Sequence, residues 1–463
     1  MISGLRPYPV MREAGVPWLG SIPEAWNVVR LKQALREVDQ RSSDGSEDLL
    51  TVSQYTGVTR RRESVPDGDN MLSRASSLIG YKLVSPGDIV VNIMLAWNGS
   101  LGASPVAGIT SPAYCVYRTT SGDNPRFLHY LFRTSLYKDL FKMVSTGVVD
   151  SRLRLYPDML LRLQVPFPPV PQQDAIVHYL DFADHQIQRY VKGKRKLIAL
   201  LNEQKQATTR CAVTRGLDPN VQLKPSGIEW LGDVPEHWHV TRVKNEFKCL
   251  NNARVPLSAT QRGTMTVRQF EYYGASGAID KVDSFLFDDD LLLIAEDGAN
   301  LVLRNLPLAI IARGKFWVNN HAHILKPKRG NLEYLAAVME SISYRPWISG
   351  AAQPKLTKDR LLAIKIAIPE RAEQDVIVRE IGRITGPLER AISRVRREID
   401  LLQELRLTLI AETVTGKFDV RKIAQTVPEE SVHDTSECGF ADAEDTETID
   451  DGEEENGVAM ALT

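Results

Sequence analysis

The side chains of this 463-residue chain best suited to chemistry are arginines, lysines and amides gathered between stretches of regular structure. Arg60, Arg61 and Arg62 form one group, and Arg152 and Arg154 a second. In the second half Asn252, Arg254, Arg262 and Arg268, then Asn319, Asn320 and Lys355, occupy comparable loop positions. Guanidinium forks suit guanine edges and phosphates, and carboxamides can pair with adenine. Any one of them alone reads most simply as a solvated surface group. As a set they point to DNA contact.

Catalytic chemistry finds less support. The sequence has no glycine-rich phosphate loop ending in Lys-Ser/Thr, no dinucleotide fingerprint after a strand and no nucleophile elbow. The Asn/Asp-Pro-Pro-aromatic motif of amino-methylating enzymes is absent too. Asp288, Asp289, Asp290, Glu296 and Asp297 resemble what a metal-dependent nuclease gathers, but Gly298 and Ala299 follow and no lysine is expected in reach. His237 with His239, and His321 with His323, would each share one face of a strand. Without further ligands at fixed spacing they read as ordinary histidines, so neither a metal nor a catalytic residue is expected. Cys115, Cys211, Cys249 and Cys438 show no paired spacing, which fits a reducing, cytoplasmic setting. No apolar run is long enough to span a membrane.

The elements that must position these groups follow from periodicity. Over 172–211, Ile176, Leu180, Ala183, Ile187, Tyr190, Leu197 and Leu201 fall on steps of three and four. Over 373–411, Ile377, Ile381, Ile384, Leu388, Ala391, Val395, Leu402, Leu405 and Leu409 do the same. This spacing keeps an apolar seam on one side of a helix that pairs with another. Forty such residues make a rod of about 60 Å. Two rods pairing antiparallel are expected, with Pro387 kinking the second or delaying its start.

The chain also repeats itself. Gly15, Trp18, Leu19, Gly20, Pro23, Glu24, Trp26, Val28, Arg30 and Lys32 recur 212 positions later as Gly227, Trp230, Leu231, Gly232, Pro235, Glu236, Trp238, Val240, Arg242 and Lys244. Residues 165–177 match 366–378 at an offset of 201, and the rods follow in that register. The tryptophans are apolar anchors, and the Gly and Pro between them fix a turn. Buried strands are expected at 87–93 and 290–295, second strands at 114–117 and 321–325, and short helices over 126–143 and 332–342. The fold class is therefore α/β (α+β), with two repeated globular domains separated by two long antiparallel helices. Boundaries are expected at 1–170, 171–215, 216–370 and 371–420.

Charge is unevenly placed. Residues 428–463 hold 13 acidic and no Lys or Arg residues, so without them the net charge moves from −1 to +12. A basic body is compatible with a polyanion partner, and the acidic tail is expected to be disordered.

The opening Trp18, Leu19, Gly20, Pro23, Glu24 and Trp26 with its copy resembles the start of each target-recognition domain in type I restriction-modification specificity subunits. So do Pro86–Val90, Ser111–Tyr114, Pro168–Gln173, Ala295–Gly298 and Asn319–His323. The resemblance covers 1 to about 420 and leaves the acidic tail outside it. It implies a non-catalytic subunit whose two domains each read part of a split DNA site, with the helices as a ruler. It also implies two methyltransferase subunits docked on the helices, motor-nuclease subunits, and S-adenosylmethionine, ATP and Mg on those partners rather than on this chain. Two rival readings stay open: a self-sufficient metal-dependent nuclease and a coiled-coil scaffold without DNA.

Overall fold

The computed structural model describes residues 5–61, 77–120, 122–149, 152–350 and 354–428. Arg62 and most of the acidic tail lie outside them. The chain divides into two compact units, one of residues 1–192 with 399–463 and one of residues 193–398.

In the first unit a four-stranded antiparallel sheet runs in the order Leu35–Glu37, Cys115–Thr119, Ile89–Val91, Leu101–Ala103. In the second the order is Phe247–Cys249, Ala322–Pro327, Leu291–Ala295, Ala309–Ala312, again antiparallel. The central strands, Ile89–Val91 and Leu291–Ala295, are buried on both faces, which is why they read as unbroken apolar runs. Strand Asn27–Arg30 pairs with Gln164–Phe167, and His239–Arg242 with Lys365–Ile368, so each unit closes its start onto the strand leading into a long helix.

The repeat persists to single hydrogen bonds. Trp26 and Trp238 are fully buried, and their indole N–H groups donate to Gln172 (2.8 Å) and Glu373 (3.0 Å). Gln173 accepts from the Asn124 backbone and donates to the Pro168 carbonyl; Gln374 does the same with Asn331 and Pro369. The side chains of Asn124 and Asn331 cap the helices Pro125–Phe132 and Leu332–Ser341 and donate to Asp174 and Asp375. The motif shared by 165–177 and 366–378 is thus a buried clasp between the short helix and the start of the long one.

The long helices run over Val170–Arg215 and Arg371–Val414. At 46 residues the first is about 69 Å long. Pro171 sits in its first turn, where a missing N–H is harmless. Pro387 neither delays nor ends the second; it removes one backbone bond inside a helix that continues on both sides. Within the first unit Asp184 pairs with Arg406 and His178 faces the Val427 carbonyl. Within the second Lys194 pairs with Glu398 (2.5 Å) and Lys205 with Glu389 (2.6 Å). In the second unit rising numbers on one helix meet falling numbers on the other, so the two helices are antiparallel there.

The packed seam departs from the expected one after Ile187. Ile176, Leu180 and Ile187 are buried, and so is Val191, followed by half-buried Lys194, Ile198 and Leu201. Two successive steps of four, 183–187–191, rotate the seam past the heptad position. Tyr190 and Leu197 consequently lie outside it, 54 % and 44 % exposed. On the second helix Ile377 and Val395 are buried, and Ile381, Leu388 and Leu402 half-buried.

The helix expected over 126–143 is two, Pro125–Phe132 and Ser135–Val144. Thr134 between them accepts from the Tyr137 N–H and donates to the Leu131 carbonyl, turning the chain so that Phe132, Tyr137 and Phe141 pack edge to face or tilted. Outside the shared frame the units differ. The first carries two-stranded pairs, Leu50–Ser53 with Gly57–Arg60 and Lys82–Val84 with Gly108–Thr110, over a small valine-rich core. The second carries a four-stranded mixed sheet in the order Gly277–Val282, Phe270–Gly274, Lys315–Val318, Phe287–Asp288. No helix among the described residues is long and apolar enough to cross a membrane.

Candidate nucleic-acid interface

In the second unit a hairpin of Ile348–Ser349 and Lys355–Leu356 docks on the end of the central strand, where the Leu356 N–H donates to the Glu296 carbonyl. This brings Lys355 Nζ to 3.4 Å from Glu296. The expectation of no lysine near the acidic cluster is therefore corrected: the lysine arrives from 59 positions away in sequence, a distance local spacing does not reveal. Apart from Asp288, each carboxylate of the acidic cluster already faces a cation or imidazole. Asp289 takes Lys326, Asp290 takes Arg313, Glu296 takes Arg254 and Lys355, and Asp297 takes His321.

Arg254 is largely covered and holds Glu296 at 2.5 Å. It also donates to the carbonyls of Asn251, Asn320 and Ala322. Most of its donors are thus engaged inside the protein, fastening three loop segments. Asn251 is buried, accepting from the Ile324 N–H and donating to His323 Nδ1 (2.8 Å). His323 Nε2 donates to the Leu356 carbonyl (2.7 Å), and burial pushes this imidazole toward the neutral form. Asn319 is buried and accepts from the His321 N–H, while Asn252 and Asn320 are exposed. His321 and His323 therefore part company: one is a core strut, the other a surface group against Asp297.

Arg262 and Arg268 converge on one carboxylate, Asp280, at 3.0 and 2.6 Å. Arg262 is covered, lies over the Tyr272 ring and donates to the Leu257 carbonyl. Arg268 is half exposed and sits at φ 34°, an uncommon backbone conformation for a residue with a Cβ. It lines a shallow surface groove with Glu271, Ile279 and Lys281.

In the first unit Arg60 ends the strand Gly57–Arg60, exposed and 3.2 Å from Asp48, with Arg61 next to it. Arg154 pairs across a hairpin base with Thr146, and Arg152 is exposed nearby. Val148, at the tip, is 99 % exposed. A residue not singled out by sequence, Arg133, holds this region. Its guanidinium donates to the carbonyls of Gln54 (2.8 Å), Tyr55 (2.6 Å) and Gly99 (3.0 Å), locking the turn that leads into Arg60. Burial pulls Arg133 down to about 10. An arginine at a break between two helices gives no sequence signal for such a role.

The first long helix presents a second uncharged face. Tyr190, Gly193, Leu197 and Leu200 follow one another at helical spacing, and the three large side chains are exposed.

A family model described as type I restriction modification DNA specificity domain matches residues 235–393. A putative type I restriction enzyme specificity subunit of Haemophilus influenzae is 34 % identical over 139 residues, 30 % of this chain and 34 % of its own length. The chain thus spans about a third of that relative. The putative MjaX specificity subunit of Methanocaldococcus jannaschii is 25 % identical over 64 % of this chain and 69 % of its own. The MjaVIII specificity subunit of the same organism is 21 % identical over 87 % of this chain and 95 % of its own. Among solved structures, one from work on complex assembly and conformational transition of the type I R-M system matches with a TM-score of 0.55 at 14 % identity, covering 85 % of this chain and 98 % of that one. That likeness establishes the shared fold.

Proposed function

We propose, from its match to the type I DNA specificity domain over residues 235–393 and its likeness to two specificity subunits of Methanocaldococcus jannaschii, that this chain is a type I specificity subunit with a division of labour among its parts. Each unit reads one half of a bipartite duplex DNA site through the loops and outer strands in which the units differ. The long helices set the gap between the halves. Methyltransferase subunits dock on the helices, where Tyr190, Leu197 and Leu200 offer apolar surface without charge. The chain contributes recognition only. S-adenosylmethionine, ATP and Mg act on the methyltransferase and motor-nuclease partners, in the cytoplasm.

The observation that carries this reading is a frame repeated in its buried tryptophan, glutamine clasp and asparagine cap that bears unlike further sheets. Two reading heads for two different sequences need that combination. Mapping methylated adenines in the host genome with and without this chain tests it, since the split motif should vanish when the chain is absent. Adding seven residues to both long helices should change the gap and leave the half-sites alone. A changed sequence with an unchanged gap would overturn the ruler. Reproducible DNA cutting by the purified chain with Mg and no partner would instead favour a nuclease. Failure to bind duplex DNA, or binding without the salt dependence of phosphate contacts, would favour a scaffold.

A further inference from the structure

The turn after the strand Leu291–Ala295 carries a pair that neither fills the core nor joins strands. His321 Nδ1 lies 3.0 Å from both carboxylate oxygens of Asp297. Asp297 is largely covered and the ring is half exposed, so the carboxylate holds the imidazole from its inner side. Nε2 has no hydrogen-bond partner among the described residues. Lys355, whose backbone bridges to Asp297, places its exposed ammonium beside Glu296. Behind them the covered Arg254–Glu296 pair fixes the Asn320 and Ala322 carbonyls that flank His321. The exposed donors of this patch are His321 Nε2 and Lys355 Nζ, and the neighbouring Asn320 is exposed as well.

We propose that His321, protonated and pinned by Asp297, is a ligand for a DNA phosphodiester oxygen in the second unit, so that DNA binding there takes up a proton. This rests on the DNA-reading role proposed above. With Nδ1–H committed to Asp297, Nε2–H is the donor left for a phosphate, and the positive charge makes that bond a strong one. The groups facing the ring support the charged form on balance. The Asp297 hydrogen bond raises the imidazole above its ordinary value against the opposing effect of burial; Glu296 adds to the rise and Lys355 opposes it. Arg254 is neutralised by Glu296. At the aligned, described positions the first unit has no counterpart. Its Leu155 N–H donates to the Ile93 carbonyl as Leu356 does to Glu296, and the strand registers Val91 with Cys115 and Ile294 with His323 then align Met94 with Asp297 and Ala113 with His321. Among the described residues this His–Asp pair is therefore found at the aligned positions of the second unit and not of the first.

The test is binding of the full chain to mixed-sequence duplex DNA by fluorescence anisotropy, as a function of salt, at about pH 6 and about pH 8. Wild type should bind more weakly at the higher pH, by about tenfold for each pH unit over which the single proton is taken up and by no more than about a hundredfold across the two. His321→Gln should lose that difference, and its salt dependence at the lower pH should fall by about one phosphate contact. Asp297→Asn, which keeps the ring, should move the midpoint of the pH dependence downward. Circular dichroism of each variant at both pH values separates loss of binding from loss of fold. Unchanged pH dependence and salt slope in His321→Gln, or an unmoved midpoint in Asp297→Asn, overturns the proposal. Wild type that binds with steep salt dependence but no pH effect overturns this proposal alone. Wild type that binds no duplex at either pH overturns the DNA-reading role with it.

Discussion

The first and second units share a buried tryptophan, a glutamine clasp, an asparagine cap and a four-stranded sheet, and then diverge. In one, two short strand pairs cover a core of Val38, Val52, Val58, Val84, Val90 and Val116 with Leu50. In the other, a mixed four-stranded sheet covers Phe316, Ile324, Leu293 and their neighbours. What repeats is the part that fixes each unit to a long helix. What differs is the set of further strands between the ends of that attachment, within 50–110 in one unit and 270–318 in the other. A repeated mounting that bears unlike further strands holds the attachment constant while the exposed side chains vary, which is what two unlike reading heads require.

If the frames are equivalent, damage to either should be severe and local. Trp26→Ala and Trp238→Ala each empty a fully buried site and free a hydrogen-bond partner. Each should cost about 3–5 kcal/mol. Scanning calorimetry should show one transition moving down while the other holds. A single transition shifted equally by both variants would mean that the units do not fold as separate cooperative bodies.

A smaller probe separates the two clasps. Gln173→Leu and Gln374→Leu each leave an asparagine backbone N–H without its acceptor. The expected cost is about 1–3 kcal/mol per buried group left unpaired. Gln173 also donates to Asp123 at 3.1 Å, so its loss should be the larger, measured as the difference in denaturant midpoints. Equal midpoints would show that the extra bond contributes nothing.

The frame was legible because its signals are local or repeated. Two tryptophans at fixed spacing, unbroken apolar runs such as Leu291–Ala295 and the first turns of the helix seam, as far as Ile187, all survive in one dimension. The outer sheets were not. Phe270–Gly274 and Gly277–Val282 are short strands with no unbroken apolar run, and their charged residues and the glycines between them blur the strand pattern. The candidate site was legible only as a set of residues. Which arginine reaches solvent depends on carboxylates far along the chain: Glu296 claims Arg254 and Asp280 claims Arg262, and no local pattern announces either. His321 and Asp297 were visible as histidine and acid, but their pairing depends on the register of two strands.

Reading should divide between the units as the outer sheets do. Arg60→Ala in the first and Lys355→Ala in the second are exposed changes with little structural cost. A base-reading residue should relax one position of its own half-site by about 1–3 kcal/mol, whereas a phosphate contact should weaken all sequences alike. Methylation of a randomised-site library distinguishes these outcomes. Relaxation in both halves from one substitution would break the division.

The least effect is expected where the two stretches of helix pair differ. In the first unit the seam is apolar around Leu180, Ala183 and Ile187, and Asp184 meets Arg406 with both side chains mostly covered. In the second, Lys194–Glu398 and Lys205–Glu389 occupy half-exposed layers of the seam. Exposed pairs are screened and must hold long side chains still, so double-mutant cycles should give these two less than about 1 kcal/mol of coupling, declining with added salt. Asp184–Arg406 should couple more strongly and respond less to salt, because removing one partner leaves a charge in a drier setting. If all three pairs couple equally, the helix seam is uniform along its length. The contrast between the units then lies in the outer sheets alone.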